Sequence, residues 1–155
     1  MQSGPPNVVG QMGLKPGRWH TVIRITAATA LPASGKVVPE NIQTELRKKV
    51  GSSFETEDCI GSNQIPHSDL VLPGIKIASE CTLGEVEADR RHLKLRASCG
   101  SLSDGFRADV DVEATYTDVA MTANAETSAF SKAAGFGTKI NVTTSSTYAG
   151  ECRSR

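Results

Sequence analysis

Apolar and polar residues alternate along several stretches of the chain, and a period of two residues is typical of strands with one buried face. The residues that this alternation assigns to an inward face include Trp19, Ile23, Ile25, Leu93, Leu95, Phe106 and Val110. The strands are short and are separated by glycine and polar turns. This pattern predicts an all-β fold with minor α content, in which an antiparallel up-and-down meander forms a small barrel or a strongly curved sheet.

One segment, residues 39–50, has the spacing of an amphipathic helix instead. Ile42, Leu46 and Val50 recur every four residues and form a narrow apolar stripe that can lie on a sheet. Pro39 suits the first turn of a helix, because its missing N–H has no partner there in any case. We therefore predict one helix over this segment.

The chain of 155 residues is long enough for one domain with a core of its own. Residues 1–17 contain three prolines and four glycines, which predicts a flexible N-terminal arm. Residues 18–152 are expected to form a single β-domain. Within it we expect a tight turn at residues 113–114 and a helical turn over residues 128–134.

Four cysteines predict two disulfide bonds. Cys81 and Cys99 lie at the outer ends of a predicted hairpin that turns near Arg90, so their thiols would face each other. The remaining pairing, Cys59 with Cys152, would tie an early strand to the last one; four cysteines allow three connectivities, and this is the one we expect. Disulfides imply an oxidising compartment, so we expect a periplasmic or secreted protein whose signal peptide has been removed. Four reduced, buried thiols in the cytosol are the alternative.

Charge and motifs exclude several classes of function. Lys plus Arg and Asp plus Glu each number 17, so the net charge is zero and the electrostatic footprint of a nucleic-acid-binding protein is missing. No apolar run reaches the ~18 residues of a membrane-spanning helix. The sequence contains no CxxC, no GxSxG and no phosphate-binding glycine loop, and we expect no cofactor and no enzymatic activity.

Candidate metal ligands and charged positions favour structural roles. The spacing of His20, His67 and His92 is not that of metal ligands. The outward positions Asp109 and Asp111 are expected to form cross-strand ion pairs with Arg96 and Lys94 of the neighbouring strand.

Several short motifs resemble a bacterial family with no assigned activity, the domain of unknown function family 3617. The resemblance is carried by Lys15-Pro16-Gly17-Arg18-Trp19, a cysteine after the second strand, the pair Cys81 and Cys99, Tyr116, and Gly150-Glu151-Cys152. It covers residues 13–152, and the order and spacing of the motifs support it. The resemblance implies an exported protein and supplies no catalytic residue, while the helix over residues 39–50 departs from the family pattern.

These observations favour a non-enzymatic, exported domain that binds a small apolar or amphipathic ligand, or a partner protein, in the concave face formed by the inward residues listed above. The same side chains would equally fill a packed core. The alternative is a structural or protein-interaction module of the cell envelope that uses the helix or an open sheet edge. The sequence predicts no particular oligomeric state.

Overall fold

A computed structural model describes residues 8–32, 37–61, 69–101, 103 and 105–153. Its main element is one antiparallel sheet of seven strands: β1 (Gly17–Pro32), β2 (Ser53–Ile60), β5 (Thr82–Asp89), β6 (His92–Ser101), β7 (Phe106–Tyr116), β8 (Ala120–Ser131) and β9 (Phe136–Gly150). Two short strands, β3 (Leu70–Leu72) and β4 (Ile75–Ile77), form a separate hairpin. The helices are α1 (Val8–Met12) and α2 (Glu40–Lys49), so the helix predicted over residues 39–50 is observed.

The strand order is β2-β1-β9-β8-β7-β6-β5. Strands β5 to β9 form an up-and-down meander, and β1 pairs with β9, which adds the β1–β2 hairpin at the far end of that meander. The antiparallel sheet predicted from the alternation is therefore confirmed. In the described part of the chain β2 and β5 are edge strands that do not pair with each other, so the sheet is open and the barrel alternative is not confirmed.

One face of the sheet is apolar and is covered at the end where β1 begins and β9 ends. The covering side chains come from the β3–β4 hairpin, with Leu70, Leu72, Ile75 and Ile77, and from the N-terminal segment, with Met12 and Leu14. Met12 is 6% exposed and Leu14 is 3% exposed. Part of the segment predicted to be a flexible arm thus forms a helix and enters the core, because its few large apolar side chains find a partner surface on the sheet; residues 1–7 lie outside the described residues.

Trp19 anchors this end of the molecule. Its side chain is completely buried, its Nε1 donates a hydrogen bond to the carbonyl oxygen of Lys15 at 2.8 Å, and its ring meets the ring of Tyr148 edge-on at 6.2 Å. The Nζ of Lys15 lies 4.7 Å from the centre of the same tyrosine ring, a cation–π contact. The segment before β1 is therefore fixed to the last strand of the sheet.

A β-bulge in β1, between Ile25 and Ala27, changes which residues of that strand face the core. After the bulge the buried residue is Ala28, and α2 packs on it through Leu46. A bulge adds one residue to one strand of a pair and shifts the alternation by one position. The strict period of two used to predict β1 cannot reveal this shift.

Two local predictions around β8 are wrong. The tight turn expected at residues 113–114 lies after Tyr116, where the Thr117 Oγ1 accepts hydrogen bonds from the N–H groups of Val119 and Ala120. Ala114 remains in the strand because its small side chain is buried in the core. The helical turn expected over residues 128–134 is strand up to Ser131, since small residues there pair fully with β7 and β9.

Both disulfides have the predicted connectivity. Cys81 and Cys99 join the ends of the β5–β6 hairpin, with their Cα atoms 4.3 Å apart. Cys59 and Cys152 join β2 to the segment after β9, with their Cα atoms 5.6 Å apart. The β5–β6 hairpin turns at Arg90 and Arg91, whose φ angles of 52° and 64° are those of a two-residue turn with both central residues left-handed.

Substitution of Gly74 tests the packing of the β3–β4 turn on the sheet. Gly74 has a φ of +75°, and an added Cβ would lie 2.6 Å from the Cγ2 of Thr21, which is fully buried and bonded to the Ser146 hydroxyl at 2.7 Å. Gly13 has a similar φ of +69° with no atom within 4 Å of the added Cβ. We expect Gly13→Ala to lower the free energy of unfolding by about 1 kcal/mol from backbone strain alone. Gly74→Ala should cost about 1–3 kcal/mol more, because the contact is added. Urea unfolding of both variants measures the difference, and equal losses would contradict this packing.

Candidate functional site

The face of the sheet opposite the core carries charge in stripes that follow the strands. Side chains at every second position of a strand share a face, and the register aligns three such sets on neighbouring strands. The sets are acidic on β5 (Glu85, Glu87 and Asp89), basic on β6 (His92, Lys94 and Arg96) and acidic again on β7 (Asp109, Asp111 and Glu113). We call this surface the polar face.

Some of these charges are neutralised by neighbours. The Arg96 Nε donates to the Asp111 Oδ1 at 2.6 Å, and this hydrogen bond raises the pKa of Arg96. Asp109 accepts hydrogen bonds from Arg107, two residues away on the same strand, and from the Ser98 hydroxyl at 2.7 Å. The predicted pairing of Asp111 with the basic strand is thus confirmed, whereas Asp109 pairs within β7 and with a serine.

Other charges on the polar face have no ion pair. Among the described residues, no oppositely charged group lies within 4.0 Å of the side chains of Glu85, Glu87, Asp89, Lys94 and Glu113, although Glu113 lies directly opposite Lys94 in the register. Charged groups at a surface are hydrated when they lack a partner, and that water can be displaced. These side chains are available to a ligand without the loss of an internal ion pair.

A groove of about 520 Å³ crosses the polar face and is lined by residues of six strands, from β5 to β1. Its charged and amide residues are Glu85, Lys94, Arg96, Asp111, Glu113, Asn124, Glu126 and Asn141. The bulge in β5 between Leu83 and Val86 lets both of these apolar residues face the core while Glu85 lines the groove. The Oδ1 of Asn141 is shielded from solvent and accepts no hydrogen bond within the described structure. This lining offers hydrogen-bond donors and acceptors of both charges, so it suits a polar ligand.

Some of the predicted ligand-facing residues are buried in the core, and the others are partly exposed. Trp19, Leu93 and Leu95 are at most 2% exposed and Ile23 is 8% exposed. Ile25 and Val110 are half-buried, and Phe106 is 49% exposed at the end of the sheet away from the β3–β4 hairpin. Trp19, Leu93 and Leu95 pack in one core cluster, so a ligand could contact their side chains only by displacing the β3–β4 hairpin or the N-terminal segment.

A second groove, of about 480 Å³, lies between α2 and the second half of β1. Its apolar lining comes from Ala28, Ala30, Pro32, Val37, Val38 and Leu46, and its polar lining includes Gln43 and Arg47. The four-residue spacing of the sequence predicts the apolar stripe of α2 but not this groove, because the groove depends on the β1 bulge that brings Ala28 toward the helix.

The histidines do not form a common site. His20 lies on β1 and its Nε2 is 2.6 Å from the Glu55 Oε1 of β2, whereas His92 lies on β6. His67 lies outside the described residues. Within the residues that the structure describes, no group of three histidine, cysteine, aspartate or glutamate side chains is placed to hold a metal ion. Over the same residues, no helix has both the length and the apolarity needed to span a membrane.

Fold and site define a class: a disulfide-linked antiparallel β-domain with one face packed and a polar face that carries a groove. The model of the family described as Protein of unknown function (DUF3617) matches residues 14–152, and the chain belongs to this family. Comparisons with curated proteins and with solved structures give no match. The two ends of the matched region meet in the fold, since an added Cβ on Gly17 would lie 2.5 Å from both the Gly150 carbonyl oxygen and the Tyr148 ring.

Titration of Asp109 tests the charge arrangement of the polar face. Its pKa is lowered chiefly by the hydrogen bonds from Arg107 and then by the one from Ser98. Because the folded-state pKa is the lower one, the stabilisation is present at neutral pH and is lost as the pH falls below about 4. We expect Arg107→Gln to raise the pKa of Asp109, and Ser98→Ala to raise it less, in carboxyl ¹³C NMR titrations.

Ser128→Ala is the matched control for this titration, because Ser128 lies opposite Asp109 on β8 and forms no hydrogen bond with it. The control should leave the pKa of Asp109 unchanged. A pKa that responds equally to all three substitutions would show that these two donors do not cause the shift.

Proposed function

We propose that this domain is an exported, periplasmic or secreted, non-enzymatic interaction module that binds a partner on its polar face. Two disulfides join all four cysteines, which fits an oxidising compartment. The apolar face is largely occupied by the chain's own hairpin, N-terminal segment and α2. The polar face has the larger of the two grooves described above.

The observation that carries this proposal is a row of side chains across three neighbouring strands. Lys94, Glu113 and Asn124 are register partners on β6, β7 and β8 and line the same groove. None of the three side chains has an ion pair or a hydrogen bond among the described residues. Paired strands hold the three side chains at fixed spacings of about 5 Å. The backbone that carries them is therefore already ordered, and a partner that binds there has to order only the side chains.

The absence of catalytic activity is part of the proposal and is supported by the causes of the pKa shifts. Hydrogen bonds with neighbouring side chains are the main cause of the pKa shifts of Arg96 and Asp109, and burial, with a contribution from Asp89, raises the pKa of Tyr116. Structural ion-pair networks and burial shift pKa values without catalysis. Arg96 and Asp109 are held by partners on the sheet and are not arranged around a common reacting position.

Site-specific photo-crosslinking in cells of the natural source tests the polar face as the binding surface. A photoreactive residue in place of Asn124 should form a discrete adduct with a partner, because that position lies on the floor of the groove. The control position is Glu45, which is exposed on α2 and lies away from the polar face. Mass spectrometry of the adducts identifies the partner. The same set of adducts from both positions, or no adduct from position 124, would overturn the proposal.

A second candidate function is the binding of a small amphipathic ligand in the groove between α2 and β1. Ligand sites are concave, 300–1,000 Å³ in size and mostly apolar with a few polar groups, and this groove has that size and lining. The Arg47 guanidinium would bind an anionic head group, although it now donates to the Glu40 Oε1 at 3.1 Å.

Titration with decanoate, followed by thermal unfolding, tests the second candidate. We expect decanoate to raise the melting temperature of the wild-type protein, because it would bury its alkyl chain against Ala30 and Leu46. Arg47→Gln should weaken this stabilisation, and Ala30→Phe should abolish it by filling the groove. Lys48→Gln, a matched charge removal on the same helix outside the lining, should have no effect. Equal responses of the Arg47 and Lys48 variants would rule out this ligand mode.

A further inference from the structure

We infer that the partner bound on the polar face is an extended, basic segment of another protein that lies along β5 and presents Lys or Arg at every second position. This inference rests on the proposed function and names the class of partner. It follows from three observations: the spacing of the β5 carboxylates, their lack of ion pairs and the contrast with the other edge of the sheet.

The spacing of the acidic stripe on β5 matches an extended peptide. Residues at every second position of a strand are about 7 Å apart on one face, and an extended peptide has the same repeat. A peptide that runs along β5 therefore places every second side chain next to a carboxylate, first at Glu85 and then at Glu87. Both carboxylates are exposed. Alternating basic residues would satisfy the whole stripe in one register, whereas a basic cluster in consecutive positions would direct half of its side chains away.

The unpaired charge around Glu85 and Glu87 is mainly negative. Glu87 and Glu113 lie on either side of Lys94 in the register. A single ammonium group therefore lies between two carboxylates and cannot balance the charge of both. The next basic residue of β6, Arg96, already donates a hydrogen bond to Asp111. Its interaction with Glu85 is Coulombic only, without a hydrogen bond. At the far end of the stripe, Asp89 adjoins the two arginines of the hairpin turn. Glu85 and Glu87 are therefore the carboxylates whose negative charge is least balanced by nearby cations.

At the opposite edge of the sheet, both acids of the edge strand have partners within the domain. On β2, Glu57 binds Arg18 at 3.2 Å and Glu55 lies 2.6 Å from the His20 Nε2, both on the adjacent strand β1. The two edge strands thus carry the same kind of acidic stripe, but only the β2 stripe is paired within the domain. This contrast assigns the basic segment to β5 by charge complementarity. A second copy presenting its own β5 is disfavoured, because like charges would face each other.

The test compares two labelled peptides of identical composition by fluorescence anisotropy at low salt. One alternates lysine with threonine, and the other has all its lysines in one block. We expect the alternating peptide to bind the wild-type domain more tightly, with an affinity that falls as salt is added. The double substitution Glu85→Gln, Glu87→Gln should weaken its binding about tenfold, as expected for the loss of two charge contacts.

The matched control is the double substitution Glu55→Gln, Glu57→Gln, which removes the same charge from β2. It should change the affinity by less than about twofold, because those carboxylates already have partners. All four substituted positions are exposed, and circular dichroism verifies that both variants fold. Equal losses in the two variants, or equal affinities of the two peptides, would overturn the inference in favour of non-specific attraction.

The inference and the proposed function fail in different ways. If neither peptide binds while a photoreactive residue at position 124 still captures a partner, the partner is not a basic segment and the polar face remains the binding surface. If that position captures nothing, the proposed function fails first. Binding of spermine as tight as that of the alternating peptide, with the same loss in the β5 variant, would replace the protein segment with a small polycation.

Discussion

The pairing of β1 with β9 is the constraint on which the rest of the structure depends. It runs from Arg18 opposite Gly150 to Pro32 opposite Phe136 and joins the first hairpin to the meander that follows much later in the chain. Without it, β1 and β2 would form an isolated two-stranded hairpin, which is marginally stable in water. The Cys59–Cys152 disulfide reinforces the same junction from the neighbouring strand. The core contact between Trp19 and Tyr148 exists only because these two strands are neighbours.

This junction also explains how a chain with few aromatic residues, 5% of the total, forms a core. The sheet supplies small or polar side chains at central positions, such as Ala114, Ala123 and the hydroxyl pair of Thr21 and Ser146. Small side chains leave room for a second layer, and the β3–β4 hairpin approaches closely enough that Gly74 rests on Thr21. The bulky apolar residues of the hairpin and of the N-terminal segment then fill the volume that the strands leave open.

Most parts of this structure that were predictable from the sequence are local in origin. The Cys59–Cys152 disulfide is the exception, since it was predicted as the pairing that remains after Cys81–Cys99. Alternation located most strands, and the symmetric placement of Cys81 and Cys99 about Arg90 gave the hairpin, its disulfide and the position of its turn. The burial of Met12 and the β1 bulge were not predictable, because both depend on surfaces supplied by distant segments. The polar groove was not predictable for a related reason. Its lining comes from residues of six strands, and the polar positions of any one strand indicate only an ordinary solvated face.

The charge on the two edge strands gives the open sheet a physical explanation. Closure into a barrel would pair β2 with β5, and both strands carry acids on the polar face, Glu55 and Glu57 on one and Glu85 and Glu87 on the other. Like charges directly opposite each other on paired strands are destabilising, and charged edge residues are a general means of preventing strands from pairing at an edge. The β1 strand supplies an arginine and a histidine as partners for the two acids of β2, whereas β6 divides its few cations between β5 and β7. The edge strand whose carboxylates lack an ion pair is thus the one beside the groove, and it is the edge to which we assign the proposed basic partner.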